Sequence, residues 1–179
     1  MPETDKKPEK IILTGYRATG KSSVGKMVAE LTGYEFIDMD KVLEGRFGKI
    51  SDLVAEKGWD FFRAREKELL VELTGTTGKV IATGGGAILH QEVWDRFKAS
   101  GWVVWLTSDL ESICSRLAVD PASPGQRPSL TGADIREEAA AVLAAREPLY
   151  REGSHLEVDS NRPLDQVVAE IMAALQSRF

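Results

Sequence analysis

Near its N-terminus the chain reads Ile11-Ile12-Leu13-Thr14-Gly15-Tyr16-Arg17-Ala18-Thr19-Gly20-Lys21-Ser22. An apolar run typical of a buried strand precedes the glycines, and a helical pattern follows them. Glycines let the backbone curl so that its N–H groups face one centre. With the N-terminus of the next helix, those groups attract polyphosphate. The stretch therefore predicts a phosphate-binding loop between a strand and a helix.

Each part of this loop has an expected role in holding a nucleotide. Lys21 can reach the β- and γ-phosphates, and the Ser22 hydroxyl can ligate Mg²⁺. The other expected ATP contacts in the loop are Gly15, Ala18, Thr19, Gly20 and Ser23. A Gly-rich turn without function is the alternative, and the spacing of the motif argues against it.

Size and composition indicate one globular domain. The 179 residues are 42% hydrophobic and 28% charged, and the net charge of −5 argues against a nucleic-acid coat or an anionic-membrane binder. No apolar run approaches the ~20 residues of a membrane span. The single cysteine, Cys114, suits a reducing cytoplasm, and its apolar register predicts a packed thiol. We expect a flexible N-terminal tail (residues 1–9) and a single domain (residues 10–179).

Short apolar runs alternate with helical patterns along the chain. The expected strands are residues 11–13, 35–38, 79–83, 102–106 and 155–158. The expected helices are residues 21–31, 41–47, 51–57, 59–73, 91–99, a segment opened by a capping box at 108–111, 133–146 and 163–177. This alternation predicts an α/β fold: a five-stranded parallel sheet with helices on both faces, a three-layer sandwich. The Pro- and Gly-rich residues 119–132 predict a loop, which we expect to act as a lid.

Two further groups fall where strands end, at the sheet edge that binds ligands. Asp38 and Asp40 follow the second strand and can divide Mg²⁺ binding from orientation of an acceptor hydroxyl, although Asp40 can instead cap the next helix. Three glycines, residues 84–86, follow the third strand. They suit backbone that passes close to a ligand and donates N–H groups, and a flexible hinge is the alternative.

Three arginines have both a functional and a structural interpretation. Arg63 and Glu66 lie at i, i+3, so Arg63 can bind a substrate carboxylate with Glu66 in support, but spacing alone favours a solvated ion pair. Arg127 can close over phosphates or stay solvated. Arg146 precedes Glu147-Pro148 and can cap the end of its helix. The two histidines, residues 90 and 155, have no metal-ligand spacing and receive no catalytic role.

Taken together, these motifs resemble the shikimate kinase family over about residues 10–175. The marks, in order, are the loop at 15–22, Asp38-Met39-Asp40, Phe62-Arg63-Ala64-Arg65-Glu66, Gly84-Gly85-Gly86, Arg127-Pro128 and Arg146-Glu147-Pro148-Leu149-Tyr150. The resemblance implies a P-loop NTPase fold like that of nucleoside-monophosphate kinases. It also implies transfer of the γ-phosphoryl of ATP to the 3-hydroxyl of shikimate, with Mg²⁺, in the route to chorismate and aromatic amino acids.

Site roles carried over by motif follow from that resemblance. Ser22 and Asp38 would hold Mg²⁺, Lys21 and the lid residue Arg127 would act on the phosphates, and Asp40 would orient or deprotonate the acceptor. The substrate residues would be Asp40, Arg63, Glu66, Gly84, Gly85, Gly86 and Arg146, within a binding region at about residues 40–73. Arg116, Arg162 and Pro163 would flank the adenine, the last two only by a loose match.

The sequence departs from the family in the Tyr16-Arg17-Ala18 stretch, where small or apolar residues are usual. Two other functions stay open: a related kinase of gluconate or a nucleoside monophosphate, and an ATP-binding regulatory module that transfers nothing. A GTPase switch is excluded by its missing Asn-Lys-x-Asp motif, since Asn161 is the only asparagine. We expect a cytoplasmic monomer that binds ATP and shikimate, without nucleic-acid or membrane partners.

Overall fold

The computed structural model describes residues 7–119, 129 and 134–179. Its centre is a five-stranded parallel sheet with the strand order β2-β3-β1-β4-β5. The strands are β1 (Lys10–Thr14), β2 (Glu35–Asp38), β3 (Lys79–Ala82), β4 (Trp102–Thr107) and β5 (Leu156–Asp159). The predicted sheet is therefore confirmed.

Helices cover both faces of this sheet. They are α1 (Lys21–Thr32), α2 (Met39–Phe47), α3 (Ile50–Thr74), α4 (Gln91–Ala99), α5 (Leu110–Val119), α6 (Ile135–Glu152) and α7 (Leu164–Arg178), with a 3₁₀ turn at Ala87–Leu89. None of the helices in these described ranges combines the length and apolar character that a membrane crossing requires.

The central strand β1 explains the two layers. Successive side chains of a strand point to opposite faces. Accordingly, Ile12 packs in one apolar cluster with residues of α3 and α4, whereas Ile11 and Leu13 pack in a second cluster with residues of α1 and α7. All three are fully buried. The loop after β1 therefore starts from the middle of a rigid, doubly covered sheet, which is where parallel α/β folds bind ligands.

Several helix boundaries differ from the expectations, among them the start of α2, which lies at Met39 and not at residue 41. The helices predicted at 51–57 and 59–73 are joined as α3, with a break at Gly58, whose φ of 83° is not helical. The capping box at 108–111 is wrong, because Asp109 caps α5 by accepting from the Ser112 amide. The helix predicted to end at Arg146 continues through Pro148 to Glu152.

The first described residues are attached to the sheet edge. The carbonyl of Pro8 accepts from the Tyr34 hydroxyl at 2.7 Å, and that of Glu9 accepts from the Gly78 amide at 2.7 Å. Residues 1–6 of the expected tail lie outside the described residues. Lys10 is fully buried, and its Nζ donates to the last carbonyls of α3, those of Leu73 and Thr74.

Candidate functional site

A cavity of about 420 Å³ opens at the carboxyl edge of the sheet. That volume falls in the range of small-ligand pockets. Most of the predicted site residues line it: Ala18, Gly20, Lys21, Ser22, Ser23, Asp38, Asp40, Arg63, Glu66, Gly84, Gly85, Gly86, Arg116 and Arg146. Arg17, Trp59, Phe62 and Thr83 join them. We call the phosphate loop, residues 15–23, with Arg116 the phosphate-loop end of the site. The arginine end comprises Arg63, Glu66, residues 84–86 and Arg146.

The loop after β1 is held in shape by its own carbonyls. Lys21 Nζ donates to the carbonyls of Gly15 and Tyr16 at 2.8 and 2.7 Å, and Thr19 Oγ1 donates to Tyr16 O at 2.9 Å. A Cβ at position 15 would lie 2.5 Å from the Leu106 carbonyl, so only glycine lets the loop pass β4. Gly15 and Thr19 thus shape the loop without lining the cavity.

Arg116 connects the loop to a second segment. Its guanidinium on α5 donates to Ala18 O at 3.0 Å and to Ser160 O at 2.9 Å. Ala18 itself has a left-handed backbone with φ of 61°, which costs energy for a residue other than glycine, and the bond from Arg116 favours that shape. Arg162 and Pro163 do not line the cavity, and Arg162 donates to Glu170 and to Asp159 O.

Asp38 holds together the end of β2, the start of α2 and the phosphate loop. Its Oδ2 accepts from Ser22 Oγ at 2.7 Å, and its Oδ1 accepts from the amides of Asp40 and Lys41. Asp38 is therefore the N-cap of α2. The alternative in which Asp40 caps the helix is wrong, because Asp40 lies in its first turn and lines the cavity.

This pair of oxygens suits a magnesium ion. Mg²⁺ takes one or two protein oxygens and completes its shell with water and substrate phosphate. Ser22 and Asp38 supply such a partial set beside the phosphate loop. Within the described residues, no group of three or more His, Cys, Asp or Glu side chains could hold a metal by protein ligands alone.

At the arginine end, Glu66 is almost fully buried, with 1% of its side chain exposed. Its Oε1 accepts from Arg63 Nη1 at 2.8 Å and lies 3.0 Å from His90 Nε2. The solvated i, i+3 ion pair favoured by spacing alone is therefore wrong. The guanidinium of Arg63 also lies over the rings of Trp59 and Phe62, at 5.1 and 5.6 Å from their centroids.

The three glycines after β3 make room for this charged pair. A Cβ on Gly84 would lie 2.7 Å from Glu66 Oε2, and a Cβ on Gly86 would lie 2.0 Å from Arg63 Nη1. Both distances are shorter than any real Cβ contact. The close approach that the sequence predicts for this segment is thus made to the buried side chains of α3.

Arg146 projects from α6 into the cavity with only 8% of its surface exposed. Because α6 continues past Pro148, the interpretation of Arg146 as a helix cap is wrong. One turn later, the Tyr150 hydroxyl donates to the Gly85 carbonyl. Burial raises the pKa of Tyr150 to about 12, against the opposing charge of Arg146, so the phenol stays neutral and remains a donor.

Charge in the cavity favours an anion at each end. Among the described residues, five cationic side chains line it, those of Arg17, Lys21, Arg63, Arg116 and Arg146, against three acidic ones, those of Asp38, Asp40 and Glu66. Glu66 is already paired with Arg63. The arrangement therefore suits a polyphosphate at the loop and a smaller carboxylate opposite.

Some residues singled out in the sequence lie away from the cavity or outside the described residues. Arg127 lies outside the described residues, as does most of the lid segment 119–132. Cys114 is half-buried at the edge of a small apolar cluster around Tyr16. The spacing of His90 gives no signal of its contact with Glu66. Tyr150 lies at the end of a motif that carries the family resemblance, but the motif gives this residue no role.

Comparison with known proteins agrees with this geometry. The shikimate kinase family profile matches residues 17–176. A shikimate kinase of Syntrophus aciditrophicus (strain SB) is 40% identical over 99% of this chain and 96% of its own. The structure is similar to that of an Acinetobacter baumannii shikimate kinase in complex with shikimate, with a TM-score of 0.88 and 32% identity over 95% of this chain and 94% of that one.

A gluconokinase from Sinorhizobium meliloti 1021 has a TM-score of 0.51 and 20% identity over 96% of this chain and 94% of that chain, which shows a shared fold alone. The profile match and the relative over nearly full length are more specific. This chain belongs to the shikimate kinase family, a family of P-loop kinases.

Proposed function

We propose that this protein transfers the γ-phosphoryl group of ATP to the 3-hydroxyl of shikimate, giving ADP and shikimate 3-phosphate. The observation that carries this proposal is that one cavity is lined both by a phosphate loop and by the Arg63–Glu66 ion pair, whose carboxylate is buried. The Acinetobacter baumannii relative in complex with shikimate supports the choice of acceptor. By that reaction the protein contributes to the route to chorismate and aromatic amino acids.

ATP binds at the phosphate-loop end in this proposal. The amides at the start of α1 face the phosphates, and the helix dipole adds positive potential there. Lys21 exchanges its bonds to the loop carbonyls for the β- and γ-phosphates, where its charge offsets that developing in transfer. Arg116 flanks the adenine from α5.

Ser22 and Asp38 would hold Mg²⁺ against the phosphates. The ion, when bound, neutralises charge on the β- and γ-phosphate oxygens. Asp38 also caps α2 and accepts from the Asp40 amide, so the same carboxylate sets the position of Asp40 in the first turn of that helix. The protein thereby couples the placement of phosphate and acceptor.

Shikimate binds at the arginine end. Arg63 and Arg146 would grip its carboxylate, since a guanidinium offers paired donors that match two carboxylate oxygens. Glu66 keeps Arg63 in place, and amides of residues 84–86 would donate to the substrate. The opposed ends then leave the 3-hydroxyl facing the γ-phosphate.

Asp40 serves the transfer itself. Its side chain lines the cavity, and its Oδ1 would lie 3.0 Å from a Cβ on Gly84. As the acceptor oxygen forms its bond to phosphorus, Asp40 takes or orients the hydroxyl proton, and the bond to the β-phosphate oxygen breaks to release ADP.

The test is the Asp40→Asn variant. We expect turnover to fall by roughly 10²- to 10⁴-fold with ATP affinity near that of the unchanged protein, because a carboxamide cannot accept the proton. Asp52→Asn, at an exposed position on α3, is the control. Near-normal turnover in Asp40→Asn would remove Asp40 from this role.

The acceptor is tested by ADP release from Mg-ATP with shikimate, gluconate or a nucleoside monophosphate. We expect shikimate alone to stimulate release. Stimulation by gluconate would support a sugar-acid kinase, and no stimulation with intact ATP binding would support a regulatory module. We further propose a cytoplasmic location, supported by the single cysteine, and a monomeric state, which light scattering tests.

A further inference from the structure

The buried carboxylate of Glu66 has partners on two different elements. Arg63, on the same helix α3, donates to Oε1 at 2.8 Å. His90, in the connection between β3 and α4, places Nε2 at 3.0 Å from the same oxygen. Because Oε1 accepts from Arg63 and a carboxylate oxygen is an acceptor, we assign the proton of the second contact to His90 Nε2, which then donates.

The imidazole of His90 contacts a residue that lines the cavity but is not itself part of the lining. Its side chain is 12% exposed and does not line the cavity. The backbone of His90 begins α4, with its carbonyl accepting from the amides of Val93 and Trp94, but its side chain makes no capping bond. A change of this side chain therefore alters the contact with Glu66 and leaves the helix start intact.

Glu66 is confined from two sides. Its Oε2 packs against Gly84 so closely that a Cβ at that position would collide with it. Its Oε1 is hydrogen-bonded to His90. A carboxylate held only by its i, i+3 neighbour can rotate with that neighbour, whereas a donor from another element stops this rotation. The guanidinium of Arg63 is then fixed against Glu66 on one side and the Trp59 ring on another.

We propose that His90 is a positioning residue for the acid substrate: through Glu66 it holds Arg63 in the orientation that binds the shikimate carboxylate. This inference rests on the proposed function for the identity of the ligand. It assigns His90 no contact with substrate, and its effect is on binding of the acid, with phosphoryl transfer and ATP binding unaffected.

The test compares His90→Leu, which removes the donor, with His90→Gln, whose amide nitrogen takes the place of Nε2. We expect His90→Leu to raise the KM and Kd for shikimate by roughly fivefold to tenfold, about the net contribution of one ordinary hydrogen bond. The kcat and the KM for ATP stay within about twofold. His90→Gln restores shikimate affinity to within about threefold of the unchanged protein.

Glu92→Gln is the matched control. Glu92 is the exposed partner of Lys67, so this change removes the charge of another polar contact between α3 and α4 without touching Glu66. We expect no change in shikimate affinity. If His90→Leu fails to fold, His90→Asn replaces it, because its shorter amide falls short of the carboxylate.

A readout without any substrate separates this inference from the proposed function. The Nε–Hε NMR resonance of Arg63, identified by its loss in Arg63→Lys, reports the order of the guanidinium. We expect this resonance to broaden or shift in His90→Leu and to recover in His90→Gln. If the unchanged protein did not bind shikimate but its variants changed the Arg63 resonance in this way, the proposed function would fail. The role of His90 in positioning Arg63 through Glu66 would still hold.

Three results would overturn the inference: shikimate affinity and the Arg63 resonance unchanged in a folded His90→Leu protein, equal losses in the Leu and Gln variants, or a parallel rise in the KM for ATP. The last would indicate a general disturbance of the cavity.

Discussion

At the phosphate-loop end of the cavity nearly every group comes from one stretch, residues 15–23, whereas at the arginine end the groups come from α3, the segment after β3, and α6. The first end is a local structure braced by its own carbonyls. The second exists only where distant elements meet. Substitutions at the phosphate-loop end should therefore change ATP binding and phosphoryl transfer alone. Substitutions at the arginine end should change the affinity for the acid substrate, because they alter the packing between elements.

Lys21→Met should give the largest effect. Loss of its charge removes stabilisation of the phosphates during transfer, so we expect kcat to fall by roughly 10³-fold. Shikimate affinity without ATP, measured by calorimetry, should not change. Lys26→Met, an exposed change on the same helix, serves as the control. A weakened shikimate complex in Lys21→Met would show that the two ends are not independent.

Gly86→Ala should disable the arginine end. The new Cβ would lie 2.0 Å from Arg63 Nη1, and the flexible guanidinium must move away. Because displacement of about 1 Å in a binding group can cost 10²-fold, we expect kcat/KM for shikimate to fall by roughly that factor with little change in melting temperature.

Gly85→Ala is the comparison for that variant, since the nearest atom of the described residues to its Cβ is the Arg17 amide nitrogen at 3.4 Å. We expect a much smaller loss. Equal losses in both alanine variants would point to amide geometry or backbone freedom, and not to the space around Arg63, as the reason for glycine.

Arg146→Lys keeps the charge but loses the planar pair of donors. We expect the KM for shikimate to rise by roughly tenfold while the KM for ATP stays unchanged. Arg151→Lys, on the exposed side of the same helix, is the control. An unaltered KM in Arg146→Lys would mean that Arg146 acts only as a point charge.

The smallest expected effect lies outside both ends, at His155. Its Nδ1 accepts from the Val103 amide at 2.9 Å, and burial, aided by Lys98 and Arg178, lowers its pKa below the ordinary 6.5. As pH falls through 6.5 the unfolded chain takes up a proton first, so folding stability is lost until the folded pKa is reached.

Melting temperatures at about pH 7.5 and 5.5 test this. The unchanged protein should lose more stability on acidification than His155→Gln, by a difference on the order of a few degrees. Equal losses would mean that the imidazole does not titrate differently on folding.

Several features were predictable because their signals are local. The phosphate loop follows from a strand, glycines and Lys21 in one contiguous run, and the alternation of apolar runs with helical patterns predicted the sheet. The ends of helices depend on more than local signals. Pro148 predicts the end of a helix near Arg146, yet α6 continues about one turn past the proline, where Tyr150 packs into the apolar core. The loss of one backbone bond at proline is offset by burial that no local pattern reports.

The amino-acid sequence by itself determined the parallel α/β fold, the phosphate loop and the family resemblance, because these depend on periodicity and on residues adjacent in the chain. Only the tertiary structure decided that Glu66 is buried, that Gly84 and Gly86 make room for it and for Arg63, and that His90 completes the group. The reason is physical: burial and hydrogen bonding between elements depend on three-dimensional packing, which residue spacing alone does not specify.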